Sequence, residues 1–196
     1  GCLDKDAQFR YRWAMEKISA ILITLNEEKN LDACLDAIRW ADEIIVVDCG
    51  SSDGTKEIAL KYTNKFHHRA WDSFSRQKAH ALGLASNEWI LSLDADERVT
   101  EELAEEIRQA AGSAAFDGYF LKRDNYFLGK LMTGGGWQHD YQMRLFRKSK
   151  AAVTDRLVPK RTTLWLSNSS ACRLELGGDT IRNEQGEARR SPSSQS

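Results

Sequence analysis

Proline is scarce in this sequence. Two prolines, Pro159 and Pro192, occur among 196 residues, whereas average usage of about 5% would give roughly ten. Both lie near the end of the chain, so no proline-rich linker or polyproline II segment precedes residue 159. We therefore treat Pro159 as a candidate boundary between two parts of the chain that differ in composition.

The sequence also lacks an excess of either charge. It has 28 Lys and Arg residues against 29 Asp and Glu residues, a formal net charge of -1. A protein that binds a nucleic-acid backbone needs a basic surface, so we predict no nucleic-acid partner. The longest apolar runs, at 18–25 and 44–47, are far shorter than the ~20 residues that span a bilayer. The first residues show no signal-peptide pattern, and the sequence predicts a cytoplasmic protein.

Several familiar motifs are missing. The four cysteines show no C-x-x-C spacing, which argues against a zinc site and a disulfide framework. Neither G-x-x-x-x-G-K-[ST] nor G-x-G-x-x-G occurs. The sequence therefore gives no sign of a P-loop or of a dinucleotide-binding glycine motif.

The central part of the chain alternates predicted strands with predicted helices. Continuous apolar runs predict buried strands at 18–24, 43–48 and 89–93, with a short strand at 66–68. Helices are predicted at 55–62 and 77–85, along the apolar stripe Leu31, Cys34, Leu35 and Ile38, and after the capping residue Thr100. This order predicts a mostly parallel sheet between helices. Further strands at 116–128 and 141–147 predict a more antiparallel region.

Carboxylate-bearing loops follow three of the predicted strands, at 24–28, 48–54 and 94–97. Ligands of open α/β sheets bind at the carboxyl ends of strands, so these loops predict a site at one edge. Because clustered carboxylates need neutralisation, a divalent cation is the expected partner. Asp94 and Asp96 are two residues apart and point the same way, which suits Mg²⁺ or Mn²⁺ sharing diphosphate oxygens. The alternative is that D-x-D arises by chance in an acidic stretch.

Asp48, at the end of the second predicted strand, has two interpretations. Its carboxylate suits hydrogen bonds from a base or a ribose, which bear amide and hydroxyl donors. Alternatively, it is a turn carboxylate that caps the helix beginning at Thr55. The residues alone leave both open.

Four segments, ISAILITLNEEKNL, EIIVVDCGSSDGT, QKAHALGLASNEWILSLDADE and GGGWQHDYQMRLFRK, together resemble the family 2 glycosyltransferases of the GT-A fold. Within that family the chain is most similar to the bacterial lipooligosaccharide core β-1,4-glucosyltransferases. The resemblance covers about residues 17–158. It implies an α/β GT-A fold with a Rossmann-like nucleotide-binding half and a partial antiparallel acceptor region.

The resemblance also implies roles for individual residues. Those expected to hold the nucleotide, its diphosphate or its sugar are Thr24, Asn26, Glu28, Asp48, Asp53, Arg76, Lys78 and Asp94. Asp96 is expected to ligate the metal, Mg²⁺ or Mn²⁺. Asp140, near the GGGW stretch on the acceptor side, is the expected general base of an inverting transfer. The alternative for Asp140 is an ion pair with Arg144 or Arg147.

The expected activity is metal-dependent, inverting transfer of glucose from UDP-glucose to a lipooligosaccharide or lipopolysaccharide core acceptor, with peripheral association at the inner face of the membrane. One alternative is a polyprenyl-phosphate glycosyltransferase of the same family. Another is a non-catalytic nucleotide-sugar-binding remnant, because the resemblance stops at Pro159. We expect a leader or expression remnant at 1–14, the glycosyltransferase domain at 15–158, and an unmatched, disordered tail at 159–196 that a truncation or frame change would explain.

Overall fold

A computed structural model describes residues 16–113, 115–128, 130–132 and 140–153, together with three short strands at 164–166, 171–174 and 181–185. The predicted leader, the GGGW stretch and the rest of the predicted tail lie outside the described residues. The division of the chain at residues 14 and 158 stays a prediction.

Four parallel strands form one half of the main sheet. They are β1 (Ile18–Thr24), β2 (Glu43–Asp48), β3 (Phe66–His68) and β4 (Trp89–Asp94), in the spatial order β3-β2-β1-β4. Thr24 at the end of β1 is in register with Asp48 of β2, and Ile23 is in register with Asp94 of β4. The parallel sheet is confirmed, and its register brings the polar ends of three strands to one edge.

Helices cover both faces of this sheet. They are α1 (Glu28–Ala37), α2 (Thr55–Ala59), α3 (Phe74–Leu84) and α4 (Glu101–Ser113). Alternate residues of β1 enter different cores: Leu22 packs with Leu35 and Ile107 on one face, and Ile21 packs with Ala81 on the other. A strand buried on both faces is apolar throughout, which explains the continuous runs in the sequence.

The helix ends follow local capping. Thr100 Oγ1 accepts a hydrogen bond from the Leu103 N–H at 3.2 Å, which confirms the predicted cap of α4. Helix α3 begins three residues earlier than predicted, because Ser73 Oγ accepts from the Arg76 N–H at 3.2 Å and adds a turn. Among the described residues, no helix is long and apolar enough to cross a membrane.

The second half of the sheet is mixed. Its members are β5 (Glu97–Arg98), β6 (Gly118–Phe127), β7 (Lys130–Leu131), β8 (Tyr141–Arg147), β11 (Ala171–Leu174) and β12 (Ile181–Gln185); β9 (Ala151–Val153) and β10 (Leu164–Leu166) form a separate pair. Strand β8 runs antiparallel to both β4 and β6, which confirms the predicted antiparallel region. Strand β12 pairs with β6 and β5. Because β8 pairs with β4, it lies directly beside the strand that ends in Asp94.

Candidate functional site

Asn26 ties the loop after β1 to the loop after β2. Its N–H donates to Ser51 Oγ at 2.8 Å, and its Oδ1 accepts from the Ser52 N–H at 2.8 Å. Asn26 has a φ of +54°, a left-handed conformation in which asparagine is enriched. The two loops thus form one surface at the carboxyl edge of the sheet.

Glu28 and Asp53 make the second connection between these loops. The Glu28 N–H donates to Asp53 Oδ2 at 3.1 Å, and Glu28 Oε2 accepts from the Gly54 N–H at 2.8 Å. Asp53 Oδ1 accepts from the N–H and Oγ1 of Thr55, at 3.1 and 2.6 Å. Burial opposes ionisation of Asp53, but these hydrogen bonds outweigh it and lower the pKa of the carboxyl. Asp53, rather than Asp48, therefore accepts from the first N–H of α2, whose N-cap residue is Gly54.

The buried Asp48 carboxylate is occupied by its own turn. It accepts from Thr24 Oγ1 at 3.1 Å, from the Gly50 and Ser51 N–H groups at 2.9 Å each, and from Ser51 Oγ. Gly50 has a φ of +104°, which only glycine adopts readily. Asp48 is thus a turn carboxylate, and a ligand donor would share its oxygens with these groups.

Asp94 lies between two cations at the end of β4. Its side chain is 36% exposed; Oδ2 accepts from Arg144 Nη2 at 2.8 Å, and Oδ1 lies 4.0 Å from Lys78 Nζ. Burial lowers the pKa of Lys78, and the neighbouring Asp94 charge opposes that effect. Lys78 therefore lies beside Asp94 from α3, whereas Arg76 is exposed on the same helix.

Asp96 follows in the turn between β4 and β5 and is 7% exposed. Within the described ranges no group of three His, Cys, Asp or Glu side chains is placed to hold a metal ion. Mg²⁺ is usually held by one or two carboxylates, with water and substrate phosphates as its other ligands. The oxygen donors of Asp94 and Asp96 fit such a shared ion rather than an all-protein cage.

A buried ion pair between Glu97 and Arg144 supports Asp94. The sequence alone assigned this pair no role. Glu97 Oε2 accepts from the Asp94 N–H at 3.0 Å; its Oε1 accepts from Arg144 Nη2 and, at 3.3 Å, from Arg123 Nη1. Burial raises the pKa of Glu97. Burial alone would lower the pKa of Arg144, but Glu97 and Asp94 outweigh it and raise that pKa. The available signal was an arginine between the apolar residues of a predicted strand.

Asp140 is held by donors on both oxygens. Oδ2 accepts from Arg123 Nε at 2.8 Å, from Arg123 Nη2 at 2.5 Å and from Asn125 Nδ2 at 3.0 Å, whereas Oδ1 accepts from Gln142 Nε2 at 2.8 Å. Burial opposes ionisation, but these hydrogen bonds lower the pKa of Asp140. The alternative prediction, an ion pair between Asp140 and Arg144 or Arg147, is wrong.

The partner of Asp140 is Arg123 because Asp140 lies opposite β6, where the Arg123 N–H also donates to the Asp140 carbonyl at 2.8 Å. Arg144 turns instead toward Asp94 and Glu97. Arg147 packs over the Trp89 ring, 4.5 Å from its centroid, and pairs with Asp117.

Comparison with known sequences decides the family. The model of the family described as Glycosyl transferase family 2 matches residues 19–164, well over half of the chain. The chain belongs to this family. This family 2 glycosyltransferase is 32% identical over 139 residues to the lipopolysaccharide core biosynthesis glycosyltransferase LpsC of Rhizobium meliloti (strain 1021), covering 68% of the chain and 52% of LpsC. It is also 40% identical over 106 residues to an uncharacterized glycosyltransferase of Rickettsia felis, covering 54% of the chain and 38% of that relative.

Solved structures show the same fold. Staphylococcus aureus TarS 1–349, crystallised with UDP-GlcNAc, matches with a TM-score of 0.67 at 18% identity, covering 92% of this chain and 62% of that chain. Glucosyl-3-phosphoglycerate synthase from Mycobacterium tuberculosis, crystallised with Mn²⁺ and UDP-glucose, matches with a TM-score of 0.51 at 18% identity, covering 64% and 49%. The family 2 glycosyltransferase therefore has a GT-A fold. It spans about half the length of LpsC.

Proposed function

We propose that this chain carries the donor site of a metal-dependent, inverting glycosyltransferase that moves glucose from UDP-glucose to a lipopolysaccharide or lipooligosaccharide core sugar. The observation that carries the proposal is the convergence of the loops after β1, β2 and β4 at one edge of the sheet, with Asp94 left partly exposed beside Lys78. The similarity to LpsC supports the core acceptor, and the UDP-glucose complex of a protein of the same fold supports the donor.

The two connected loops supply the nucleotide-binding part of this site. Asn26, Glu28 and Asp53 lie on the surface where the uridine would bind, and the buried Thr24 and Asp48 lie behind them. Asp48 would accept from the base or ribose at oxygens that its turn already holds in place. Lys78 places its ammonium beside Asp94, where it would meet the diphosphate; exposed Arg76 would approach the same group from solvent.

Asp96 is the proposed metal ligand, and Asp94 the proposed contact of the ribose and sugar. When bound, Mg²⁺ or Mn²⁺ would neutralise the charge that develops on the departing diphosphate. Because the described residues place no group of three His, Cys, Asp or Glu side chains to hold a metal ion, we expect metal affinity to depend on the nucleotide.

Asp140 is the proposed general base. In an inverting transfer the acceptor oxygen attacks the anomeric carbon as the base takes its proton, and the bond to the diphosphate breaks with its electron pair. Oδ1 accepts one hydrogen bond from the described residues and Oδ2 accepts three, so Oδ1 is the oxygen with acceptor capacity left for that proton.

The acceptor side is less constrained. An acceptor sugar that is attached to a lipid lies at a membrane surface. We therefore propose a cytoplasmic protein that associates peripherally with the inner membrane. A polyprenyl-phosphate acceptor would use the same donor site. A nucleotide-sugar-binding protein without transfer activity is the remaining alternative.

Calorimetric titration of the purified chain with UDP, with and without Mn²⁺, tests the donor site. We expect Mn²⁺-dependent binding of UDP and UDP-glucose, and its loss in Asp96→Ala. The matched control is Asp36→Ala, because that carboxylate is 62% exposed on α1 and pairs with Arg39. Retention of metal-dependent UDP affinity in Asp96→Ala would refute the metal assignment, and absence of UDP binding by the unmodified chain would refute the proposed function.

Transfer is tested separately with a panel of nucleotide sugars, lipopolysaccharide core acceptors and a polyprenyl phosphate. Glucose incorporation into the core supports the proposal. Incorporation into the polyprenyl phosphate supports the alternative acceptor, and UDP binding without any transfer supports the non-catalytic protein.

A further inference from the structure

Two separate contacts fix Asp94 in space. Its N–H donates to Glu97 Oε2 at 3.0 Å, which holds the backbone, and its Oδ2 accepts from Arg144 Nη2 at 2.8 Å, which holds the carboxylate. Glu97 and Arg144 also pair with each other. The three residues therefore form a closed triangle, in which the two supporting side chains are buried and Asp94 reaches solvent.

We propose that the Glu97–Arg144 pair, here called the clamp, positions Asp94 for the donor. The proposal rests on the proposed function, in which Asp94 contacts the nucleotide sugar. An aspartate at a strand end would otherwise exchange rotamers, and each exchange would move the carboxylate away from the ligand. With Oδ2 held by Arg144, Oδ1 lies on the side of Lys78, the cation proposed to meet the diphosphate.

Further contacts hold Glu97 within the clamp. Glu97 is fully buried, and its Oε1 is shared between Arg144 and Arg123, whose Nη1 lies 3.3 Å away. Arg123 is fixed in turn by two hydrogen bonds to Asp140. A side chain whose partners are also fixed transmits little motion to the group it holds, which is how supporting residues orient a site.

Stability alone is a poor reason for this arrangement. Replacing a buried ion pair with apolar residues of similar volume is often neutral or stabilising. Moreover, Arg144 Nε is buried and has no hydrogen-bond partner in the part of the chain that the structure describes. A buried polar atom without a partner is unfavourable, so the position of Arg144 is better explained by what its Nη2 holds.

The test is a double-mutant cycle on UDP affinity in the presence of Mn²⁺. Arg144→Lys keeps the positive charge but loses the planar fork, so we expect UDP to bind about 10- to 100-fold more weakly, the range typical of lost supporting contacts. In an Asp94→Ala background the same substitution should change UDP affinity by less than about twofold, because the group it positions is gone. A purely structural role would weaken binding equally in both backgrounds.

Arg147→Met is the matched control, since Arg147 is the next arginine of β8 and supports Trp89 instead of Asp94. It should lower thermal stability and leave UDP affinity unchanged. Arg144→Met removes the charge and is expected to bind more weakly still; should it fail to fold, Arg144→Lys carries the test.

The outcomes separate the two proposals. Loss of UDP affinity in Asp94→Ala, with none in Arg144→Lys, would overturn the clamp and leave the donor site standing. Unchanged affinity in Asp94→Ala would overturn the role of Asp94 and the clamp with it. Equal losses for Arg144→Lys in both backgrounds would also overturn the clamp.

Discussion

Glu43 lies at the edge of the sheet opposite the candidate site, and one carboxylate there joins the starts of all four parallel strands. Oε2 accepts from Ser19 Oγ of β1 and from the Ser86 N–H at 2.8 Å, just before β4. Oε1 accepts from Ser86 Oγ at 2.8 Å and from Lys65 Nζ, just before β3. Glu43 itself begins β2. We predict that Glu43→Gln destabilises the fold without touching the donor site.

The magnitude follows from the carboxyl group. Burial alone would raise the pKa of Glu43, but hydrogen bonds from Lys65, Ser19 and Ser86 lower it from 4.5 to about 2. This lowering of the Glu43 pKa on folding corresponds to roughly 3 kcal/mol of folding free energy at neutral pH. Glutamine keeps a carbonyl acceptor, and Lys65, 42% exposed, regains water. We therefore expect a loss of about 2 kcal/mol.

The lowered pKa of Glu43 determines how its contribution to stability changes with pH. Above pH 4.5 the carboxylate is ionised in both folded and unfolded chains, and its full contribution is present. As pH falls from about 5 toward 2, the unfolded chain takes up the proton first, so that contribution is lost. The stability difference between the native chain and Glu43→Gln should shrink over this window.

Urea unfolding at pH 7, 5 and 3, followed by circular dichroism, measures this difference. Asp36→Asn is the control, because its ion pair with Arg39 is exposed and should contribute less than about 0.5 kcal/mol. Two results would contradict this prediction. One is a Glu43→Gln variant that is as stable as the control at pH 7, and the other is an equal stability difference between the native chain and Glu43→Gln at pH 7 and pH 3. UDP affinity at pH 7 should stay within about twofold.

Two further predictions concern the site and its support. Asp140→Asn should leave UDP affinity within about twofold and abolish sugar transfer in a radiolabel assay, since it removes the proposed base but no donor contact; lost UDP affinity would instead place Asp140 on the donor side. Cys34 is buried in α1 with its Sγ 3.6 Å from the Asp94 carbonyl, and burial raises its pKa. It should resist a thiol reagent at pH 8 in the native chain and react in urea, as read by peptide mass mapping; rapid native labelling would contradict that packing.

Strands β1, β2 and β4 were predictable from sequence because each is buried on both faces. In β1 and β2 nearly every residue is buried, so an unbroken apolar run marks the strand and its last polar residue marks the edge. The same pattern predicts that Asp48 and Asp94 lie at the same end of the sheet, as the parallel pairing of β1 with both of their strands requires. Element ends were less accurate, since α3 starts at a serine cap that the apolar periodicity does not reveal.

The supporting side chains were not predictable by the same means. Arg144 and Glu97 are 47 positions apart in the chain, and their contact depends on β8 returning beside β4. Periodicity records which face a residue occupies, but it does not record which strand arrives next to it. For the same reason the partner of Asp140 was assigned to its nearer arginines, although Arg123 lies across the strand pair.

The two edges of the sheet differ in how fully protein donors occupy the carboxylate oxygens. A groove of about 570 Å³ opens at the starting edge, lined in part by Glu43, Lys61 and Lys65. Its size does not make it the reactive site, because both oxygens of Glu43 are already engaged by donors from the protein. At the opposite edge Asp94 is partly exposed, with one oxygen held and the other beside Lys78. We therefore propose that the nucleotide sugar binds at the edge where the strands end, where a charged carboxylate reaches solvent.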